Sequence, residues 1–86
     1  MPEICRFLGM VITMYYRDHA PPHFHVKYGE HRAAFSIREM ELIEGQLPGR
    51  ITSLVLEWAF EHRPELMEDW GLAEARKPLK QIAPLV

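Results

Sequence analysis

The chain has 86 residues, of which 48% are hydrophobic and 26% charged, with a formal net charge of −2. This describes one small folded domain, residues 1–86, with room for a single core. The charge balance excludes a generally cationic nucleic-acid binder, and the longest apolar run, Leu8 to Tyr16, is too short for a membrane-spanning helix.

The first expected element covers residues 10–16, Met-Val-Ile-Thr-Met-Tyr-Tyr. This run is β-branched and aromatic, which favours a strand, with Gly9 at its start. The Pro21-Pro22 corner forces extended backbone and leads into a second strand over residues 25–28. Gly29-Glu30 marks a tight turn, and Arg32 to Ile37 forms the returning arm of a hairpin. Glu41 to Glu44 reads as a fourth short strand, ended by Gly45. The period then changes: Ile51, Leu54, Val55, Trp58 and Ala59 form a stripe at helical spacing, with Pro48 at the helix start. Pro64 ends that helix and opens a second one, whose apolar face carries Leu66, Met67, Trp70 and Ala73. Residues 78–86 alternate in character and suggest a short C-terminal strand. Strands followed by helices predict an α+β fold: a small antiparallel sheet of three to four strands, then two helices packed on one face.

A single cysteine, Cys5, allows no internal disulfide and fits a reducing compartment. With Glu3 and Arg6 in its opening residues, the chain lacks a secretory signal pattern, so a cytoplasmic location is expected. Charge is uneven. Residues 1–38 hold Arg6, Arg17, Lys27, Arg32 and Arg38 against Glu3, Asp18 and Glu30, together with four of the five histidines. A basic, histidine-rich face on a more acidic body follows from this distribution.

The densest chemistry lies in "DHAPPHFHVKYGE", residues 18–30. His23 and His25 are two apart on an expected strand, so their side chains share a face. Asp18 and His19 precede them in the turn. Four ionisable groups this close suit imidazole acid–base chemistry near neutral pH, with His23, His25, His19 and Asp18 as catalytic residues. Arg17, Lys27 and Arg32 would bind phosphate beside them, the set a metal-independent ribonuclease needs. The same spacing also suits a divalent metal held by His23 and His25, with His19 or Asp18 as a third ligand. On the plainest interpretation, the proline corner and its histidines are structural. Tyr15, Tyr16, Phe24 and Tyr28 could stack bases, but aromatic residues in strands are more often core. Trp58 and Trp70 sit on helical stripes and belong to the core or to an interface, and Cys5 lacks the charged surroundings of a nucleophile. Removal of Met1 would leave the Pro2 amine as a further base.

Over nearly its whole length the chain resembles a bacterial family known as domain of unknown function forty-one-sixty. The likeness rests on Met1-Pro2 with Ile4, Arg6-Phe7, Gly9 and the histidine block. It continues through "EGQLP", "LVLEWAFEHRPEL" with Trp70 after it, and "KPLKQIAPL". The family usually has Asn where this chain has Ala20, so an Asx-type turn bond would be missing there. The resemblance implies the toxin-like component of a two-protein, toxin–antitoxin-like module, partnered by a small protein from an adjacent gene. Acting through the histidine turn and its neighbouring cations, such a component would target RNA or translation, and a homodimer is an open alternative for its assembly. The alternative class is a non-enzymatic interaction module whose partner occupies a sheet edge or helix groove.

Overall fold

The computed structural model describes residues 2–86; Met1, on whose removal the Pro2 amine depends, lies outside them. Five strands come first: β1 (Glu3–Phe7), β2 (Met10–Thr13), β3 (His23–Tyr28), β4 (His31–Ser36) and β5 (Leu42–Gly45). Two helices follow, α1 (Gly49–Glu61) and α2 (Arg63–Glu74). The strands form one antiparallel sheet in the order β1-β2-β3-β4-β5, each paired with its neighbour in the chain. The α+β class and the strands-then-helices order are as expected, but the sheet has five strands rather than three to four.

The additional strand is β1. Its Glu3 and Arg6 break any simple apolar pattern, and the turn after it carries an unusual residue. Phe7 pairs with Met10, so Leu8 and Gly9 form a two-residue hairpin with both φ angles positive, +49° and +83°. Such a turn normally uses Asn-Gly or Asp-Gly, and leucine at its first position conceals it. The second hairpin follows the usual rule: Tyr28 pairs with His31, and Gly29 takes the left-handed position at φ +59°.

The expected strand over residues 10–16 stops at Thr13. Beyond it the chain leaves the ladder, passes through Arg17 at φ +53°, and reaches β3 by way of a cis Ala20–Pro21 bond. β3 begins at His23, so both histidines of the pair are strand residues. The tail after α2 forms no strand, contrary to expectation. Its polar groups attach singly: the Ile82 N–H donates to the Ile4 carbonyl at 2.8 Å, and the Gln81 side chain donates to the Glu3 carbonyl at 2.6 Å. Further along, the Ala83 carbonyl accepts the Trp58 indole N–H at 2.8 Å. Prolines at 78 and 84 remove two of the donors a ladder would require.

Antiparallel partners point to the same side, so the register assigns the two faces. One face carries Phe7, Met10, Cys5, Ile12, Phe24, Val26, Ala33 and Phe35. All of these are buried, and they pack against Ile51, Val55, Trp58 and Ala59 of α1. Trp58 is fully buried, with Phe7 and Phe24 rings about 6 Å away. The opposite face carries Arg6, Val11, Thr13, His25, Lys27, Arg32, Ala34 and Glu44. Packing α1 on the first face leaves this second, more polar face to build a site, with Trp70 of α2 reaching His23 at the start of β3. No helix among the described residues is long and apolar enough to cross a membrane.

Candidate functional site

The site is built around the Asp18 carboxylate. The left-handed turn at Arg17 brings this side chain back over the start of β3. One of its oxygens, Oδ2, lies 2.9 Å from His23 Nε2 and 3.3 Å from His25 Nε2. The other, Oδ1, accepts the His19 backbone N–H at 2.8 Å and lies 2.9 Å from His19 Nδ1. The His19 bond supplies a local turn contact despite Ala20 in the next position. Burial alone would raise the Asp18 carboxyl. The hydrogen bonds from His25 and from the His19 N–H, with the neighbouring charges of His23 and His19, outweigh that and hold it below the usual carboxylate range.

The three histidines are not equivalent. The His19 side chain is 86% exposed and touches the cluster only through Asp18 and the edge of the His23 ring. His23 is buried, its ring packed 5.3 Å from Trp70 of α2. Its Nδ1 faces the Pro21 carbonyl at 2.6 Å, an acceptor, so Nδ1 carries the proton and donates it. Both His23 ring nitrogens are therefore engaged. His25 is the intermediate case, partly exposed, with the Tyr15 ring edge-on at 4.4 Å. Its ring centroid lies 5.0 Å from that of His23. Consequently a His23 substitution opens a hole beside Trp70, and unfolding would obscure its effect on activity.

Beside His25 the polar sheet face forms a cleft of about 330 Å³, lined by Val11, Tyr15, His25, Lys27, Arg32 and Glu44 among others. The ladder fixes this arrangement. Lys27 pairs directly with Arg32, and His25 pairs with Ala34, which pairs with Glu44. The small Ala34 thus lies in the ladder between a histidine and a carboxylate. Arg17 is elsewhere, facing a depression shared with Tyr16 and Arg76, and its backbone N–H bonds to the Ala73 carbonyl. The structure therefore joins Asp18, His19, His23 and His25 in one cluster, places Lys27 and Arg32 at its adjoining cleft, and separates Arg17 from both.

Sequence reasoning missed the parts that Glu44 and Trp70 play here. Glu44 enters the cleft only through the β4–β5 register, which is irregular between Ala34 and Phe35. Trp70 reaches His23 from 47 positions away in the chain. Alternation along β5 was the one available signal for Glu44, and no local pattern pairs Trp70 with His23. The aromatic candidates divide: Phe24 is fully buried core, Tyr28 is partly buried, and Tyr15 borders the cleft. Cys5 is buried, and burial pushes its thiol up from the ordinary value, a setting opposite to that of an activated nucleophile.

No curated protein and no solved structure matches the chain at significance. A family profile described as Domain of unknown function (DUF4160) matches residues 9–71. The match takes in the whole histidine block, strands β2 to β5, α1 and most of α2. The chain therefore belongs to the family described as Domain of unknown function (DUF4160).

Proposed function

We propose that this chain is the effector, toxin-like component of a two-protein module and that it acts on RNA at the cleft beside His25. The observation carrying this proposal is the Lys27–Arg32 cross-strand pair, set next to an aspartate-held histidine on an open sheet face. Lys27 and Arg32 supply two positive charges at one site, and the guanidinium can grip a phosphate through two N–H groups. Within the chain alone, His25 is the cluster member placed to exchange a proton at that phosphate, with Asp18 orienting its ring. The two-imidazole scheme expected from sequence requires His23 as the second group. His23 is buried with both nitrogens engaged, so it positions Asp18 instead.

A second reading, a non-enzymatic interaction module, is favoured by β5. This edge strand is exposed along its length, including Leu42 and Ile43. The β1 edge, in contrast, is partly covered by the tail. An exposed apolar edge is the kind of surface to which a partner adds a strand.

Inducible expression of wild type, His25→Ala and Lys27→Ala/Arg32→Ala, each with and without the neighbouring gene, tests both readings. The RNA reading expects His25→Ala to abolish growth arrest and cleavage. The double variant should bind RNA more weakly, with a salt dependence reduced by about one unit for each phosphate that is no longer neutralised. Growth arrest unchanged in His25→Ala would sink this reading. A stable complex with the neighbour, retained in His25→Ala but abolished by Ile43→Arg, would instead support the interaction module.

A further inference from the structure

We propose that Asp18, His23 and His25 form a centre for one divalent transition-metal ion of the zinc class. The centre uses the same cluster as the proposed function but does not depend on RNA being the target. Each residue offers one ligand atom, and these atoms lie within 4.8 Å of one another. The two distances to Asp18 Oδ2 are 2.9 Å and 3.3 Å. Zinc bonds of about 2.0–2.2 Å to nitrogen and oxygen place neighbouring ligand atoms about 2.8–3.6 Å apart in octahedral or tetrahedral geometry. Two of the three edges are already close to that length.

Chemistry selects the ion class. Two neutral imidazoles and one carboxylate suit zinc, iron(II), cobalt or nickel, whereas magnesium and calcium prefer all-oxygen sets. The Asp18 carboxylate supplies the anionic ligand and already faces both imidazole Nε2 atoms. The surrounding contacts are also suitable. His23 Nδ1–H donates to the Pro21 carbonyl, so once an ion displaces the proton that Nε2 donates to Asp18, the Nε2 lone pair faces that ion. The remaining Asp18 oxygen is oriented by His19. Trp70 and the buried strand hold His23 from behind. A depression of about 190 Å³, lined by His19, His23, Ile43 and Glu44, gives access from solvent.

Three protein ligands leave at least one coordination position open, as catalytic rather than structural centres do. A bound ion supplies Lewis acidity toward a phosphoryl or carbonyl oxygen. His25 then serves as a ligand, Lys27 and Arg32 hold an anionic substrate nearby, and Glu44 is the free carboxylate across Ala34.

The test uses full-length protein purified without an affinity tag and stripped with a chelator. Zinc is titrated by calorimetry, and cobalt binding is followed by visible absorption. Circular dichroism checks that each variant is folded. The expected result is saturable binding at one equivalent, weakened at least about 100-fold in both Asp18→Asn and His25→Gln. His31→Gln, on the exposed far end of the β3–β4 hairpin, should bind as wild type. Folded protein that takes up no zinc, or binding unweakened in both ligand variants, overturns the centre. RNA cleavage in the same samples separates this inference from the proposed function. Zinc bound at one equivalent without cleavage upholds the centre and removes the RNA reading. Cleavage undiminished in chelator, by protein that binds no zinc, overturns the centre and leaves the RNA reading.

Discussion

Replacing Asp18 with alanine tests the physical core of the site without reference to any substrate. The carboxylate meets four donor groups: the His19 N–H, His19 Nδ1, His23 Nε2 and His25 Nε2. The ring contact with His19 is exposed and contributes little. The His23 contact counts most, because alanine would leave that nitrogen buried against Trp70 with no partner. Breaking a fully buried ionic hydrogen bond costs about 3–5 kcal/mol. The Asp18 side chain is 16% exposed, so we place the cost at the lower end, about 3 kcal/mol. Total stability for a domain of this length is about 4–13 kcal/mol, so the variant should fold while being clearly weakened. Urea unfolding at neutral pH in the presence of chelator measures the difference without any contribution from bound metal. Asp18→Asn, whose amide oxygen can still accept the His19 N–H, should lose about half as much. A change below about 0.5 kcal/mol in Asp18→Ala would show that the cluster is solvated and not a built site.

Two further predictions concern the scaffold. Asp69 is buried; one carboxylate oxygen accepts the Lys80 N–H at 2.9 Å, and Oδ2 has no partner among the described residues. Burial raises its carboxyl above the ordinary value, and the Lys80 N–H offsets this only in part. A carboxyl raised in the folded state stabilises fully below its unfolded pKa, and that stabilisation is lost as pH rises through the folded value. Wild type should therefore lose stability relative to Asp69→Asn as pH rises above the ordinary carboxylate range; parallel denaturation profiles for the two proteins would contradict the assignment. Gly45 closes the β4–β5 pair at φ +76°, where a Cβ would approach the Arg32 carbonyl oxygen to 2.1 Å. Gly45→Ala should cost about 2 kcal/mol or more and lower Tm by about 8 °C or more, and an unchanged melting curve would show that the β5 register adjusts freely.

The sequence by itself determined the elements whose signal is local. Helix α1 follows from the Ile51, Val55, Trp58, Ala59 stripe, and α2 from Pro64 at a position where a missing N–H costs nothing. The Gly29 hairpin follows from its turn chemistry. The shared face of His23 and His25 follows from strand period alone. What stayed hidden depended on contacts between distant residues. The Leu8-Gly9 turn carries no sequence signature, so β1 was hidden with it. The tail's alternation suggested a strand, but its backbone makes one bond to β1 where a ladder would make several. At the site, sequence placed Asp18, His19, His23 and His25 near one another but ranked them as equals. Tertiary packing separated them: Trp70 from α2 buried His23, while solvent kept His19 free. The β4–β5 register placed Glu44 across Ala34 from His25, and the turn at Arg17 carried that cation away from Lys27 and Arg32. Local periodicity reports where a side chain points. Which group is buried, paired or exposed depends on what packs against it, and only the folded chain supplies that neighbour.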